Sequence, residues 1–336
     1  MTSSNPILQL RELAYGVINT QAIGVTAQLH IADAIAAGYN TPDAVAQHLS
    51  LNVTATSRLM RFLGFLNVLE RVGDDSYRLT ESGEMLRSDI PGSFNGMAQL
   101  FAAKHSSAAY ANIAHSIQTG EPAFNDEFGM GMFEYVHDRA DEREALYSAF
   151  TGLSRAQAPV LAQAIDFHRF DQIVDVGGGY GFLLLEILKL HSRPRGVLYD
   201  LPNVISDAEP LIKKEGLSNR CQAISGSFFE GVPEGADAYM MKLILHDWDD
   251  DRSLRILNHC RDAMASNGTI IVFDMIVPEG PDYGLTLWAD MNMMLIAEGM
   301  ERTESEWKEL GGQAGLEIKS ITLTPTSLSA IEFVRA

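Results

Sequence analysis

The sequence predicts an α/β fold, a mostly parallel sheet of seven strands with helices on both faces, preceded by a mainly helical domain with a winged-helix pattern. Three observations carry this. From residue 171 onward short apolar runs alternate with helix-length segments, the pattern of strand–helix–strand units that build parallel sheets. The first run, Gln172 to Val176, feeds straight into Gly177-Gly178-Gly179-Tyr180-Gly181 and an apolar helix. Residues 41 to 80 read as helix, helix, hairpin. Three regions are expected: a helical winged-helix domain over 1–90, a helical linker and lid over 91–165, and an α/β domain over 166–336.

In the first region, Ile7, Leu10, Leu13, Val17, Ile18, Val25, Leu29 and Ile35 put apolar side chains on most sides of one or two helices. Such helices need a cover beyond their own domain, either the rest of the chain or a second copy of it. Thr41-Pro42-Asp43 starts a helix, with a capping threonine, proline in the first turn and an early acid. A longer helix is expected over 54–69, then a small hairpin turning at Asp74-Asp75-Ser76. A winged helix raises DNA binding, and charge argues against it. Residues 41–90 carry Arg58, Arg61, Arg71, Arg78 and Arg87 against Asp43, Glu70, Asp74, Asp75, Glu81, Glu84 and Asp89.

Residues 91–150 read as mostly helical and rich in aromatic and methionine side chains. Most serve as core. The segment nonetheless lies where a lid over an aromatic substrate would be built, and Phe101, His105, Phe128 and Met132 are its candidate contacts.

In the third region strands are predicted at 172–176, 195–200, 220–225, 236–242 and 268–276. Helices fall at 182–190, 203–215, 250–264, 284–297 and 303–314, and an antiparallel edge hairpin at 316–323 and 329–334. Ligands in such sheets sit outside the carboxyl ends of the strands. The glycine turn therefore reads as a nucleotide-type site, where glycine lets the backbone turn with positive φ and lets a ligand approach. Asp200, ending the next strand, is placed for ribose hydroxyls. Asp175, two residues before the first glycine, would sit badly beside a pyrophosphate and suits a cofactor with a cationic end. That argues against a nicotinamide-dependent oxidoreductase.

With these residues and the run Lys242-Leu-Ile-Leu-His246-Asp247-Trp248, the chain resembles the S-adenosylmethionine (SAM)-dependent small-molecule O-methyltransferase family, of which plant caffeic acid and isoflavone enzymes and bacterial antibiotic-tailoring enzymes are members. The resemblance covers nearly the whole chain and implies a Rossmann-like SAM-binding catalytic domain behind a dimerisation domain. It places Asp175, Gly177, Gly178, Gly179, Asp200, Leu201, Ser227, Phe228, Lys242, Asp247 and Trp248 about the cofactor, with Phe228 stacked on adenine. Ser227 departs from the family's pattern, in which an aspartate commonly accepts from the adenine amino group. His246 is implied as the general base, with Asp274 and Glu301 flanking it. Histidine titrates near neutrality and suits a weakly acidic hydroxyl. Asp290, Met291 and Met294, ahead of Glu301, are expected to line the acceptor pocket, where methionines favour flat rings. The acceptor is then a phenol, hydroxyquinone or fused heteroaromatic secondary metabolite, and the sulfur-bound product is S-adenosylhomocysteine (SAH). N-methylation of a heteroaromatic stays open, as does a SAM-binding enzyme that performs hydroxylation or cyclisation instead.

Composition narrows the partners. At 336 residues, 46% apolar and 21% charged, the chain is long enough for two cored domains. A formal net charge of −19 argues against nucleic acid and anionic membrane. Cys221 and Cys260 are too few for a disulfide framework and have no metal-ligand spacing, so no metal is expected. With no basic, apolar leader and no run of 18 apolar residues, a soluble cytoplasmic homodimer is the expectation.

Overall fold

The computed structural model describes residues 5–137, 139–280 and 284–336. The chain divides into two compact units. One comprises the chain up to Ala111 together with Phe133–Ala156; the other comprises Asn112–Met132 and Gln157–Ala336. Residues 91–165 are thus shared between the two rather than forming a body of their own.

In the first unit the amino-terminal run forms three helices, Pro6–Ala14, Gly16–Gln28 and Ile31–Ala36. The helix Pro42–Leu49 begins as its sequence demands: the Thr41 hydroxyl accepts from the Ala44 N–H at 3.2 Å, with proline at the first position. The next helix, Val53–Phe65, is shorter than the expected 54–69. Asn67 adopts a left-handed conformation (φ 56°) and turns the chain into strand β1, Leu69–Val72, which pairs antiparallel with β2, Ser76–Leu79. The helix–helix–hairpin pattern is therefore present. Its core is Ala27, Ile31, Val45, Met60, Leu63 and Leu69, all nearly inaccessible.

The second unit holds a seven-stranded sheet. Its strands are β3 (Gln172–Val176), β4 (Arg195–Asp200), β5 (Cys221–Ser225), β6 (Ala238–Lys242) and β7 (Thr269–Asp274), followed later by β10 (Leu316–Leu323) and β11 (Ser329–Arg335). A separate two-residue ladder joins β8 (Ile276–Val277) to β9 (Arg302–Thr303). The order is β10-β11-β7-β6-β3-β4-β5, with β11 antiparallel to both neighbours and the other pairings parallel. The run expected over 268–276 is interrupted at Met275 and gives β7 and β8.

Side chains alternate across this sheet. Met240, Ile271 and Phe273 pack with Leu184, Leu188 and Ile205 on one face. Tyr239, Met241, Ile270 and Val272 pack with Leu257, Trp307 and Phe333 on the other. Strands buried on both faces read as unbroken apolar runs, and each fully buried aliphatic side chain contributes about 1.5–3 kcal/mol. Rigidity here fixes where the strand ends point. No helix among the described residues is long and apolar enough to cross a membrane.

Candidate active site

Parallel pairing brings the glycine turn to the end of β4. Val176 pairs with Tyr199, and the Gly177 N–H continues the ladder to the Tyr199 carbonyl at 2.8 Å. Gly177 and Gly179 both have positive φ, 66° and 58°. A Cβ on Gly177 would lie 2.6 Å from Ile244 Cδ1 and 3.4 Å from Phe228 Cε1, whereas one on Gly179 would meet nothing within 4 Å. Only a bare backbone fits the first position, and the second opens onto space. The Gly179 N–H donates to Asp200 Oδ2 at 2.8 Å and the Leu201 N–H to Asp200 Oδ1 at 2.7 Å. Each carboxylate oxygen keeps lone pairs for further donors. Burial pushes the Asp200 carboxyl up, while these two N–H donors pull it back. An acid held rigid by the cradle it borders fits the ribose hydroxyls of a nucleoside cofactor.

Asp175 lies beneath the cradle, buried, with its carboxylate 2.6 Å from where a Gly178 Cβ would be. Burial pushes it up to about 7, opposed by Lys242 and reinforced by Asp200. Lys242, at the end of β6, is pushed down to about 8 by burial, with Asp175 and Asp274 pulling it back up. On the far side of the cradle Phe228 and Phe229 meet edge-to-face at 4.8 Å, and Phe229 meets Trp248 the same way at 4.8 Å. The Ser227 hydroxyl accepts from the Phe229 N–H at 3.3 Å. The structure thus gathers the sequence-selected residues Asp175, Gly177–Gly179, Asp200, Leu201, Ser227, Phe228, Lys242 and Trp248 around the ends of β3, β4 and β6. Ile244 completes the wall and carried no signal in the sequence beyond being apolar.

Beyond β6 the chain makes an abrupt turn. Leu243 takes a left-handed φ of 54°, and Leu245–Asp247 form one turn of 3-10 helix. His246 Nδ1 lies 2.8 Å from Glu301 Oε1 and 3.8 Å from Asp274 Oδ1, and its Nε2 lies 3.5 Å from Asp247 Oδ1. The two acids arrive by separate routes. Asp274 ends β7, beside β6 in the sheet, and Glu301 precedes β9; the ladder of β8 and β9 ties the two routes together. The Glu301 N–H donates to Asp290 Oδ1 at 3.1 Å, a holding role that the sequence did not reveal for Asp290.

Charge in this cluster is strongly coupled. Burial opposes the protonated ring, but Asp247, Asp274 and Glu301 outweigh it and hold the His246 imidazolium up to about 10. Burial pushes Asp274 well above the usual carboxylate range, with His246 pulling it back and Glu301 adding to the rise. Asp247 is pushed up to about 6 by burial, against His246 and with Glu301. Sequence reasoning put Asp247 with the cofactor; the structure sets it against the same ring as the other two acids. With Nδ1 committed to Glu301, the ring's other nitrogen is the one left to exchange a proton.

Of the remaining candidates, Phe128 lies in the helix Ala123–Phe128, its ring 4.6 Å from that of Phe124. That helix packs against Thr286–Ile296, which carries Asp290, Met291 and Met294. Met132 closes the same stretch of the second unit. Phe101 and His105 belong to the first unit, where buried His105 pairs with Glu142 at 3.1 Å.

A parallel sheet with one antiparallel strand set in near its edge, and a glycine cradle meeting an acid at the next strand end, is the framework of a SAM-dependent methyltransferase. The chain belongs to the O-methyltransferase family: the O-methyltransferase domain matches residues 110–317 and the O-methyltransferase dimerisation domain residues 11–89. The 3-amino-4-hydroxybenzoate 4-O-methyltransferase of Streptomyces cremeus is 36% identical, covering 94% of this chain and 87% of that protein. The phenazine O-methyltransferase PhzM of Lysobacter antibioticus is 32% identical, covering 96% and 94%. The crystal structure of LaPhzM superposes with a TM-score of 0.92 at 31% identity, covering 99% of this chain and all of that one. An O-methyltransferase from neocarzinostatin biosynthesis, solved with SAM and 2-hydroxy-5-methyl naphthoic acid, has a TM-score of 0.81 at 30% identity over 95% and 96% of the chains. Some relatives are N-methyltransferases, among them an 8-amino-8-demethylriboflavin N,N-dimethyltransferase from Streptomyces davaonensis, 31% identical over 88% of this chain and 86% of that protein. The chain is a SAM-dependent O-methyltransferase, and the oxidoreductase, regulator and non-methylating readings fall away.

Proposed function

We propose that the chain transfers the methyl group of SAM to a hydroxyl of a small aromatic secondary metabolite, a phenol, hydroxyquinone or fused heteroaromatic, with His246 as general base. The observation that carries this is the 2.8 Å contact of His246 Nδ1 with buried Glu301, set at the end of β6 beside the glycine cradle. Gly177, Gly178 and Gly179 present backbone to the methionine and ribose portion, Asp200 takes the ribose hydroxyls, and Phe228 stacks on adenine. Bound SAM supplies an electrophilic methyl on a sulfonium, a leaving group that needs no acid. His246 takes the hydroxyl proton, and Glu301 and Asp274 orient its ring and favour the imidazolium formed. Alignment in a dry site provides most of the acceleration, an effect that can reach roughly 7–11 kcal/mol.

Phe128, Met132, Asp290, Met291 and Met294, all in the second unit, are the residues assigned to the acceptor side. Aromatic relatives such as the 3-amino-4-hydroxybenzoate enzyme support the acceptor class, and the riboflavin relative favours transfer to nitrogen as the second reading. The amino-terminal helices form the homodimer contact, and the enzyme works in the cytoplasm on a small molecule, with neither nucleic acid nor membrane as partner.

Calorimetric titration with SAM and SAH, for the wild type and Asp200→Ala, tests the cofactor site. Binding of both, lost in the variant, is the expected outcome. A panel of aromatic hydroxyls and amines, read by the mass gain of one methyl, then identifies the acceptor atom. His246→Ala should lower kcat by about 10²–10⁴-fold, the usual reach of a general base, with SAH affinity kept. Unchanged turnover would remove His246 from its role.

A further inference from the structure

We propose that Arg302 is a positioning residue for His246: its guanidinium fork fixes the backbone at both ends of the turn that carries the base. The inference rests on His246 being that base, and concerns how the ring is held rather than which residue takes the proton.

Arg302 is only 1% exposed, although arginine is almost never fully buried unless paired. Its contacts are directional. Nη1 donates to the Leu245 carbonyl at 3.1 Å, and Nη2 to the Trp248 carbonyl at 3.1 Å. These two carbonyls bracket His246 and Asp247. Nε and Nη2 also donate to Asp250 Oδ1 at 3.0 and 2.7 Å, which anchors the fork to the first turn of the helix Asp250–Ala263. The Ser253 hydroxyl lies within 3.3 Å of the same two carbonyls and of Nη2. The Leu245 carbonyl also accepts the Trp248 N–H at 3.3 Å within the 3-10 turn, and Arg302 and Ser253 together bring side-chain donors to both carbonyls.

The placement of Arg302 in the chain gives this clamp its purpose. It follows Glu301 directly, so one extended segment reaches the His246 ring with a carboxylate and the His246 backbone with a guanidinium. That segment is itself held by the pairing of Arg302 with Ile276, two residues after Asp274. Ring, turn and both acids are therefore registered to a common β8–β9 ladder. Lysine has the same charge but no planar fork, so it cannot hold both carbonyls and Asp250 in the geometry of the guanidinium. Arg302→Lys thus separates geometry from charge.

The groups facing the His246 ring are Asp247 from its own turn, Asp274 from β7 and Glu301 from the approach to β9. Arg302 and Lys242 act on it through Asp274. Their combined pull outweighs burial and raises the imidazole, so a ring that moves away from them while staying buried titrates lower. The test is a nuclear magnetic resonance titration of histidine-labelled protein saturated with SAH, the His246 signal being assigned by its loss in His246→Gln. For Arg302→Lys the expected result is an imidazole pKa lower by one unit or more, with SAH affinity within about threefold of wild type. With the acceptor found in the panel, kcat should drop roughly ten- to hundredfold, as a misplacement of about 1 Å can cause. An unchanged imidazole titration overturns the proposal. So does an equal loss of melting temperature, SAH affinity and kcat, which marks a purely structural arginine. If Arg302→Lys does not fold, Asp250→Asn loosens the same fork from an acid that is 60% exposed; a smaller shift in the same direction supports the proposal and none refutes it. If His246→Ala leaves turnover intact, the reading of the base fails; if His246→Ala abolishes turnover and Arg302→Lys changes nothing, only the clamp fails.

Discussion

His246 stands between two demands: a base must be free of its proton to act, and its neighbours favour keeping it. The carboxylates of Asp247, Asp274 and Glu301 raise the basicity of the ring and with it the share that stays protonated at neutral pH, holding the imidazolium up to about 10. The consequence is visible in a pH profile. With His246 as the proposed base, kcat/KM is expected to rise with pH and to report the free enzyme; its acid limb is expected well to the alkaline side of the ordinary imidazole value of about 6.5. Glu301→Gln removes one charge from the ring. Its limb is expected at lower pH, with a plateau reduced roughly ten- to hundredfold as part of the general-base contribution, measured over pH 6–10. Stability runs the other way with pH. A histidine whose pKa is raised on folding stabilises the fold fully below its unfolded value and loses that contribution as pH rises towards about 10. At this scale a position was legible where a residue type and a strand end coincided, as for Asp200 and Asp274, or where a motif resembled the family's, as for His246. The contact of Asp247 with the His246 ring escaped because it depends on a 3-10 turn, and that of Asp290 because its partner is a backbone N–H.

Among the elements, those buried on both faces were the easiest to read. β3, β4 and the helix Phe182–Leu190 fall on their expected limits, since continuous apolar runs end there at glycine or at a charged residue. Two boundaries moved for local reasons, Asn67 turning left-handed before β1 and the break at Met275 that separates β7 from β8. Neither leaves a hydrophobic signature. The loop before β9 shows how tightly elements are fitted at the site: a Cβ on Gly299 would run into the His246 carbonyl and the Asp247 backbone. Gly299→Ala should displace the whole turn. The expected result is a fall in kcat of about a hundredfold, as for any misplacement of about 1 Å at reacting groups, with SAH affinity nearly unchanged in calorimetry; full activity would mean the two loops can part without harm.

For the molecule as a whole, the least finished surface is at its amino-terminal end. Leu13 and Phe65 are 72% and 79% exposed, Ile7, Leu10 and Val17 likewise project outward, and Ile18, Ala22, Val25, Leu59 and Phe62 line an open groove of about 770 Å³. Apolar exposure on this scale marks a protein interface, and it coincides with the dimerisation domain. The double variant Leu13→Asp, Phe65→Asp is expected to sediment as a monomer, with a melting temperature that no longer rises with protein concentration. A variant that remains dimeric would locate the contact elsewhere. The periodicity of residues 7–38 already implied a face needing cover, though the division into three helices depends on turns at Tyr15 and His30 that no pattern announced.

The two-residue ladder of β8 and β9 has a further meaning for how such an enzyme can diversify. It fastens the chain at Val277 and again at Thr303, so the stretch between, including the helix Thr286–Ile296, is a loop closed at its base. Substitutions on the outward side of that loop can accumulate while the spacing of Asp274 and Glu301 is held by the ladder at its base. The helix can therefore drift in sequence on that side, tied to the acids only through the contact of Asp290 with the Glu301 N–H.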